Sequence, residues 1–289
     1  MQSQNLIELQ LKSFAKRVAN EGGPLSDDIV EAFGDEMKAA LRKQFEPRKR
    51  DFKVRPSNIG RPVCQLWHEK NGFEKTPFDD QFLIKMLIGD SVEAIIRALL
   101  RASKMDVTSH GDQVEMDVAG VSINGESDVD INGKVYDIKS ASDFSFRNKF
   151  APGYDALKKG DEFGYIAQLQ FYAEAQGKRP GGWIVVNKNN GEIKVCEAVD
   201  TVAERKEAAE KREEVVNYLH SDQPLKRVFK PVENTFRKKP TGEWCLPSGC
   251  NFCGYVKHCY TDAEFKHSKM SSAKPTTLAG KKWFVRDAD

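Results

Sequence analysis

Asp137 and Lys139 stand two residues apart in the stretch "VYDIKS". On a β-strand that spacing puts a carboxylate and an ammonium on one face of a sheet. Upstream, "NGESDVDING" carries Asp128 and ends in an Asn132-Gly133 turn signal. A hairpin about that turn sets Asp128 nearly opposite Asp137. Two carboxylates at cross-strand distance repel unless a cation lies between them. One or two carboxylates with waters completing the shell is the donor set that Mg²⁺ prefers. An ammonium beside such an ion can hold an attacking water and neutralise charge growing on a phosphate. The chemistry these residues suit is phosphodiester hydrolysis. Glu93 lies in an otherwise apolar helical stretch and can supply a third carboxylate, since a buried acid is costly unless paired or liganded. Gln168 and Tyr172, in "AQLQFYAEA", are four apart and share a helix face. They can offer an amide and a hydroxyl to the site or its DNA.

The cysteines form a second constellation. Cys245, Cys250, Cys253 and Cys259 fall in "CLPSGCNFCGYVKHC", whose C-x₂-C-x₅-C core has metal-like spacing. Cys64 lies far upstream, in "PSNIGRPVCQLW", and Cys196 reads as a small buried apolar residue of a strand. Two assignments follow. The local four can hold structural Zn²⁺. Alternatively, Cys64 joins Cys250, Cys253 and Cys259 around an iron–sulfur cluster, which takes four thiolates. Basic stretches with aromatics flank this region: "PRKRDFKVR" (47 to 55) and "KRVFKPVENTFRKKP" (226 to 240). Such stretches bind phosphates and stack bases.

The elements that must position these groups are legible from periodicity. Residues 5 to 20 and 26 to 45 read as helices, the second opening with Ser26 and two acids. "FDDQFLIKMLIGDSVEAIIRALLRA" reads as a mostly buried helix. Gly89 in its middle predicts close packing, because glycine there costs about 1 kcal/mol against alanine. From 112 to 142 the period changes to two, giving strands joined by turns at Ala119-Gly120, Asn124-Gly125 and Asn132-Gly133. A helix over 160–177, a hairpin around Asn190-Gly191 and a charged helix over 201–220 follow. The order predicts an α/β or α+β chain with a mixed central sheet flanked by helices.

"G-E-S-D" (125 to 128), "D-I-K" (137 to 139) and "Q-L-Q-F-Y" (168 to 172) resemble the motifs of the PD-(D/E)XK nuclease superfamily, in its RecB-like branch. The resemblance covers about positions 57 to 260. It implies a restriction-endonuclease-like α/β core with a mixed central β-sheet, plus a C-terminal cysteine-cluster region. It implies that Asp128 and Asp137 ligate Mg²⁺ or Mn²⁺ with the Ile138 carbonyl as a backbone ligand. Lys139 is then catalytic, and Gln168 and Tyr172 form the accessory motif. Where the branch often has a histidine after a glycine, "G-D-S-V-E" puts Glu93, with Asp90 and Asp130 as competing choices. The cysteine pattern of one before the core and three after it resembles the iron–sulfur subgroup of this branch. That favours a [4Fe–4S] cluster on Cys64, Cys250, Cys253 and Cys259, with Zn²⁺ as the alternative.

The chain has 289 residues, 39% hydrophobic and 30% charged, enough for one large domain or two small ones. A formal charge of +2 excludes a polycation, so nucleic-acid contact must come from local basic patches. No apolar run approaches the roughly 18 residues of a membrane span, and the N-terminus has no secretory pattern. We expect a cytoplasmic protein of a bacterium or a phage-infected host, with thiols used for metal rather than disulfides. The expected organisation is an N-terminal helical region (1–56), a nuclease core (57–222), a cysteine-cluster region (223–263) packed on the core through Cys64, and a tail (264–289). The expected activity is that of a metal-dependent DNA exonuclease of recombination, repair or phage DNA processing. Its partners would be DNA that is single-stranded or has free ends, and a recombination or replication protein. The alternative is a catalytically inactive nuclease fold, or a metal-ribbon module that only grips DNA.

Overall fold

In the computed structural model the described residues are 5–47, 51–268, 271 and 280–287. Helix α1 (Leu6–Glu21) starts where the Asn5 side chain accepts from the Ile7 amide at 2.9 Å. It ends at Gly22, whose φ of 73° suits a residue without a Cβ. Helix α2 (Asp27–Phe45) follows Ser26, with Asp27 and Asp28 in its first turn. Next come α3 (Val63–Lys70) and α4 (Gln81–Ala102). Strands β1 (Val107–His110), β2 (Gln113–Val118), β3 (Val121–Glu126), β4 (Val129–Ile131) and β5 (Lys134–Ala141) succeed them. After β5 the chain forms α5 (Asp143–Ser145), a π-helical turn over Phe146–Phe150, α6 (Tyr154–Lys159) and α7 (Tyr165–Ala175). Strands β6 (Arg179–Asn187) and β7 (Ile193–Glu197) lead to α8 (Val202–His220). The remainder comprises β8 (Val232–Phe236), β9 (Lys239–Cys245), α9 (Val256–Cys259), β10 (Glu264–His267) and β11 (Lys281–Val285). Among the described residues, no helix is long and apolar enough to cross a membrane.

The chain divides into two compact units. The first takes residues 1–50, 54–60 and 78–216. It holds a five-stranded mixed sheet of order β1-β4-β5-β6-β7, in which β5 and β6 are parallel and every other pair is antiparallel. Side chains alternate along β5. Val135 and Ala141 join one core cluster with Leu169 and Phe171 of α7. Tyr136 and Ile138 join the other, with Ile7 and Leu11 of α1 and Ile96 and Leu100 of α4. Helices therefore cover both faces, and the architecture is α/β, as the alternation of elements predicts. The N-terminal helices are not a separate region, because the Ile7–Leu11 face of α1 is buried in this core.

Four local expectations are corrected by the structure. Asn124-Gly125 is no turn but lies inside β3, where Gly125 pairs with Val114. Its lack of a side chain serves packing: a Cβ there would sit 2.6 Å from Pro56 Cγ and 3.1 Å from Tyr172 Cε1. The turn at Asn132-Gly133 does form, with φ of 51° and 71°, and fixes the β4–β5 register. The start of α4 is not buried: Ile84 is 56% exposed, and only Ala94, Ile96, Arg97 and Leu100 are fully covered. Gly89 is not tightly packed either, since a Cβ would meet nothing nearer than Ser140 Oγ at 3.8 Å. The helix over 160–177 contracts to α7, whose start is capped by Asp161 accepting from the Tyr165 and Ile166 amides at 2.8 and 2.9 Å.

The second unit takes residues 51–53, 61–77 and 217–289. Cys64, on α3, thus belongs to the same unit as the other clustered cysteines and not to the first unit's core. A four-stranded antiparallel sheet runs β10-β11-β9-β8. The expectation of a tail from residue 264 is overturned by β10 and β11, which pair Phe265 with Trp283. Leu246, Val256, Tyr260 and Ala263 form this unit's core beside Cys250 and Cys259. Residues 48–50 of the first basic stretch, and 269–270, 272–279 and 288–289 of the expected tail, lie outside the described residues.

Candidate active site

Strand β5 carries Asp137 and Lys139 on the face that also carries Val135 and Ala141, toward α7. Lys139 Nζ lies 2.7 Å from both Asp137 oxygens. Only Oδ1 is in hydrogen-bonding direction, so Oδ2 is buried without a hydrogen-bond partner. Strand β4 starts at Val129, opposite Tyr136, so Asp128 sits one residue before it, beside Asp137. The hairpin register expected from the turn is the one found. Asp128 Oδ2 accepts from the Ile138 amide at 2.6 Å. The amide and carbonyl of one strand residue point to the same edge, so the Ile138 carbonyl also faces the space past the end of β4.

Glu93 reaches this place from α4 on the sheet's other side. Its carboxyl is pushed up to about 7, first by burial and then by the Asp128 charge. Burial raises the Asp137 carboxyl too, with Asp128 and Glu93 adding to it and Lys139 opposing. Burial works against the Lys139 ammonium, but the charges of Asp137 and Asp128 outweigh it and hold it above the ordinary lysine value. Tyr172, pushed up to about 12 by burial, feels Asp128, Asp137 and Lys139. Gln168 Nε2 lies 3.5 Å from its hydroxyl. The predicted residues of the first unit are therefore neighbours.

Sequence reasoning missed Arg97. Its Nη2 lies 2.6 Å from Glu93 Oε1, its Nε donates to the Asp128 carbonyl at 3.1 Å, and its Nη1 is 3.5 Å from Glu36 Oε2 of α2. The guanidinium fork thus joins α4, the connection between β3 and β4, and α2. The Glu93–Arg97 spacing of four was a usable signal; Glu36 had none. Of the competing acids, Asp130 is fully buried and held by Lys178, away from this group. Asp90 accepts from Gln44 Nε2 at 2.9 Å. Tyr165, whose ring lies 5.5 Å from Lys139 Nζ, was also missed.

In the second unit Cys64, Cys250, Cys253 and Cys259 line one cavity, together with Arg227, Phe229 and Tyr260. A hydrogen bond from Cys259 lowers the Cys64 thiol to about 6, and the same bond raises Cys259. Burial pushes Cys250 up to about 12, with Cys253 and Cys64 adding to it. Cys245 is not among the cavity's residues; burial raises it, and its charged neighbours are Lys282 and Glu243. Cys196 is buried in β7, as expected of a small apolar strand residue, and burial raises it to about 12. All six cysteines are free thiols. His68, which sequence reasoning also missed, lies one helical turn after Cys64. Its Nδ1 is 2.7 Å from the Cys64 carbonyl, and its ring stacks on Tyr255 at 5.6 Å.

Among the described residues, no three His, Cys, Asp or Glu side chains stand in a metal-holding arrangement. Glu93 and Asp137 are each turned to a cation of the chain, and Asp128 to the Ile138 amide. The donor chemistry nevertheless fits a hard divalent ion. Among the described residues, the cations ion-paired to Glu93 and Asp137 are Arg97 and Lys139, and Asp137 Oδ2 is buried with no hydrogen-bond partner.

No protein-family model matches the chain, and no curated protein matches it. Among solved structures, it is similar to the chain titled "Crystal structure of SSO0001", at 13% identity and a TM-score of 0.41. The match covers 77% of this chain and 93% of that one. A likeness this distant carries no argument about the site.

Proposed function

We propose that the first unit is a Mg²⁺- or Mn²⁺-dependent DNA nuclease, resembling the RecB-like branch of the PD-(D/E)XK superfamily, with a restriction-endonuclease-like core. The observation that carries this reading is the meeting of Glu93, Asp128, Asp137 and Lys139, from α4, the β4–β5 hairpin and β5, beside Gln168 and Tyr172 of α7. Asp128, Asp137, Glu93 and the Ile138 carbonyl would hold the ion. Bound there, a divalent cation would polarise the phosphate and acidify a water. Lys139 is held charged by its carboxylate neighbours, so it acts as a fixed cation and not as a base. It orients the attacking water and stabilises negative charge on the phosphate oxygens. Tyr172 keeps its proton far above neutral pH and serves as an O–H donor to the DNA backbone, with the Gln168 amide beside it. The substrate is DNA that is single-stranded or has free ends. The role is exonucleolytic processing in recombination, repair or phage DNA metabolism, beside a recombination or replication protein.

For the second unit the reading is a structural [4Fe–4S] cluster on Cys64, Cys250, Cys253 and Cys259. Their shared cavity supports that set over the local four containing Cys245. A brown protein absorbing near roughly 400 nm is expected from thiolate–iron charge transfer. A colourless protein with stoichiometric zinc would refute the cluster.

The nuclease reading is tested by incubating wild type and Lys139→Ala with linear DNA and Mn²⁺. Wild type is expected to degrade the DNA and the variant to lose at least about a hundredfold in rate, the scale of losing one preorganised electrostatic group. Equal degradation by both sinks the assignment. Tight DNA binding without cleavage under any divalent metal would favour an inactive, DNA-gripping scaffold.

A further inference from the structure

Phe144 is 71% exposed, five residues after Lys139. The same short segment buries Phe146 and Phe150 in the core, at 2% and 3% exposure. Its apolar demand is thus met without Phe144, which is left outside.

The backbone that carries Phe144 is fastened on several sides. The Ser145 amide donates to Ser142 Oγ at 3.3 Å, and the Asp143 amide donates to Asn189 Oδ1 at 3.0 Å. Asp143 Oδ1 accepts from Asn187 Nδ2 at 3.0 Å and from Arg147 Nε at 2.9 Å. Asn148 Nδ2 donates to the Phe144 carbonyl at 2.8 Å. The Lys188 amide donates to the Ala141 carbonyl at 3.0 Å, tying the ends of the two parallel strands together. An aromatic ring on so constrained a mount loses little freedom on binding.

The position is informative too. β5 and β6 are the parallel pair of this sheet, and α/β sheets bind ligands outside the carboxyl ends of their parallel strands. Phe144, Arg147, Lys188 and Asn189 are all exposed at that end. Five residues of chain span at most roughly 17 Å, the length of about five stacked nucleotides of one strand. A ring flanked by cations at that reach suits a nucleic-acid strand, whose bases stack on aromatics while its phosphates meet Lys and Arg.

We infer that Phe144 is a stacking platform for an unpaired base of the DNA strand entering the carboxylate site, with Arg147 and Lys188 on the adjoining phosphates. This rests on the nuclease reading. The test is fluorescence anisotropy of a labelled single-stranded oligonucleotide with the full-length chain, in EDTA so that no cleavage occurs. Phe144→Ala is expected to weaken binding about tenfold, the worth of one stacked base. Phe144→Trp should retain it, and Phe144→Leu, equally apolar but not aromatic, should not. Arg147→Ala should lower the salt dependence by about one phosphate contact. Binding by Phe144→Ala or Phe144→Leu at wild-type strength overturns the inference. Wild type that does not bind the oligonucleotide at all also overturns this inference, whereas the nuclease reading stands or falls separately on the cleavage of linear DNA with Mn²⁺.

Discussion

Glu93 is an acid kept partly protonated near neutral pH by burial and by Asp128, and that has a consequence for stability. Its folded value of about 7 lies above the ordinary 4.5. Between those two values the folded state holds more protons than the unfolded chain, so stability falls as pH rises through that window. In chelator, the urea midpoint of wild type should drop from pH 5 to pH 8 relative to that of Glu93→Gln, and added Mn²⁺ should abolish the difference. Parallel pH profiles for the two proteins would show that Glu93 does not titrate there. Arg97 is the other decisive residue. It is 8% exposed and holds Glu93 and the Asp128 carbonyl, so Arg97→Ala leaves a half-buried carboxylate without its cation. A loss of about 3 kcal/mol is expected in denaturant melts. Arg97→Lys should recover only part of it, because one ammonium nitrogen cannot reach the separated acceptors that Nε, Nη1 and Nη2 of the planar fork meet.

At the scale of elements, the two glycines of the site region behave oppositely, and neither does so for a reason visible in its local sequence. Gly89→Ala on α4 should stabilise by about 1 kcal/mol, since helix propensity improves and the added methyl meets only ordinary contact. Gly125→Ala on β3 should cost about 2 kcal/mol, because the methyl would overlap the Pro56 ring and press on Tyr172. Thermal melts of both variants check the pair; destabilisation by Gly89→Ala would show that α4 is more crowded at that point than its contacts indicate. Helix α7 shows the same dependence on neighbours. Gly164, at φ 77°, starts the helix where a Cβ would fall 2.5 Å from Gly60.

At the scale of the whole molecule, the proposed cysteine ligand set depends on which segments of a long chain share a unit. Residues 61–77 and 217–289 form one unit although the entire sheet of the first unit intervenes in sequence. If the proposed cluster is bound, Cys64→Ser should therefore abolish the chromophore expected of the purified full-length protein and lower its thermal midpoint. Cys245→Ser should leave the chromophore intact. Loss of colour with Cys245→Ser and its retention with Cys64→Ser would restore the local four-cysteine set.

The sequence by itself determined what local rules decide. The period-two runs, the Asn132-Gly133 turn and the Asp-x-Lys spacing gave the β4–β5 hairpin, its register and the shared face of Asp137 and Lys139. The four-residue spacing of Gln168 and Tyr172 did the same for α7. Only the tertiary structure decided which of Glu93, Asp90 and Asp130 stands beside the aspartates. That choice depends on which partner each acid meets: Arg97, Gln44 or Lys178. Only it brought Arg97 and Glu36 into the site, left the first turns of α4 exposed and turned the expected tail into strands; the grouping of Cys64 with Cys250, Cys253 and Cys259 was expected from the resemblance, and the tertiary structure gave it a shared cavity. Each of these is a contact between residues far apart in the chain, and spacing along a sequence carries no information about which distant segments will meet.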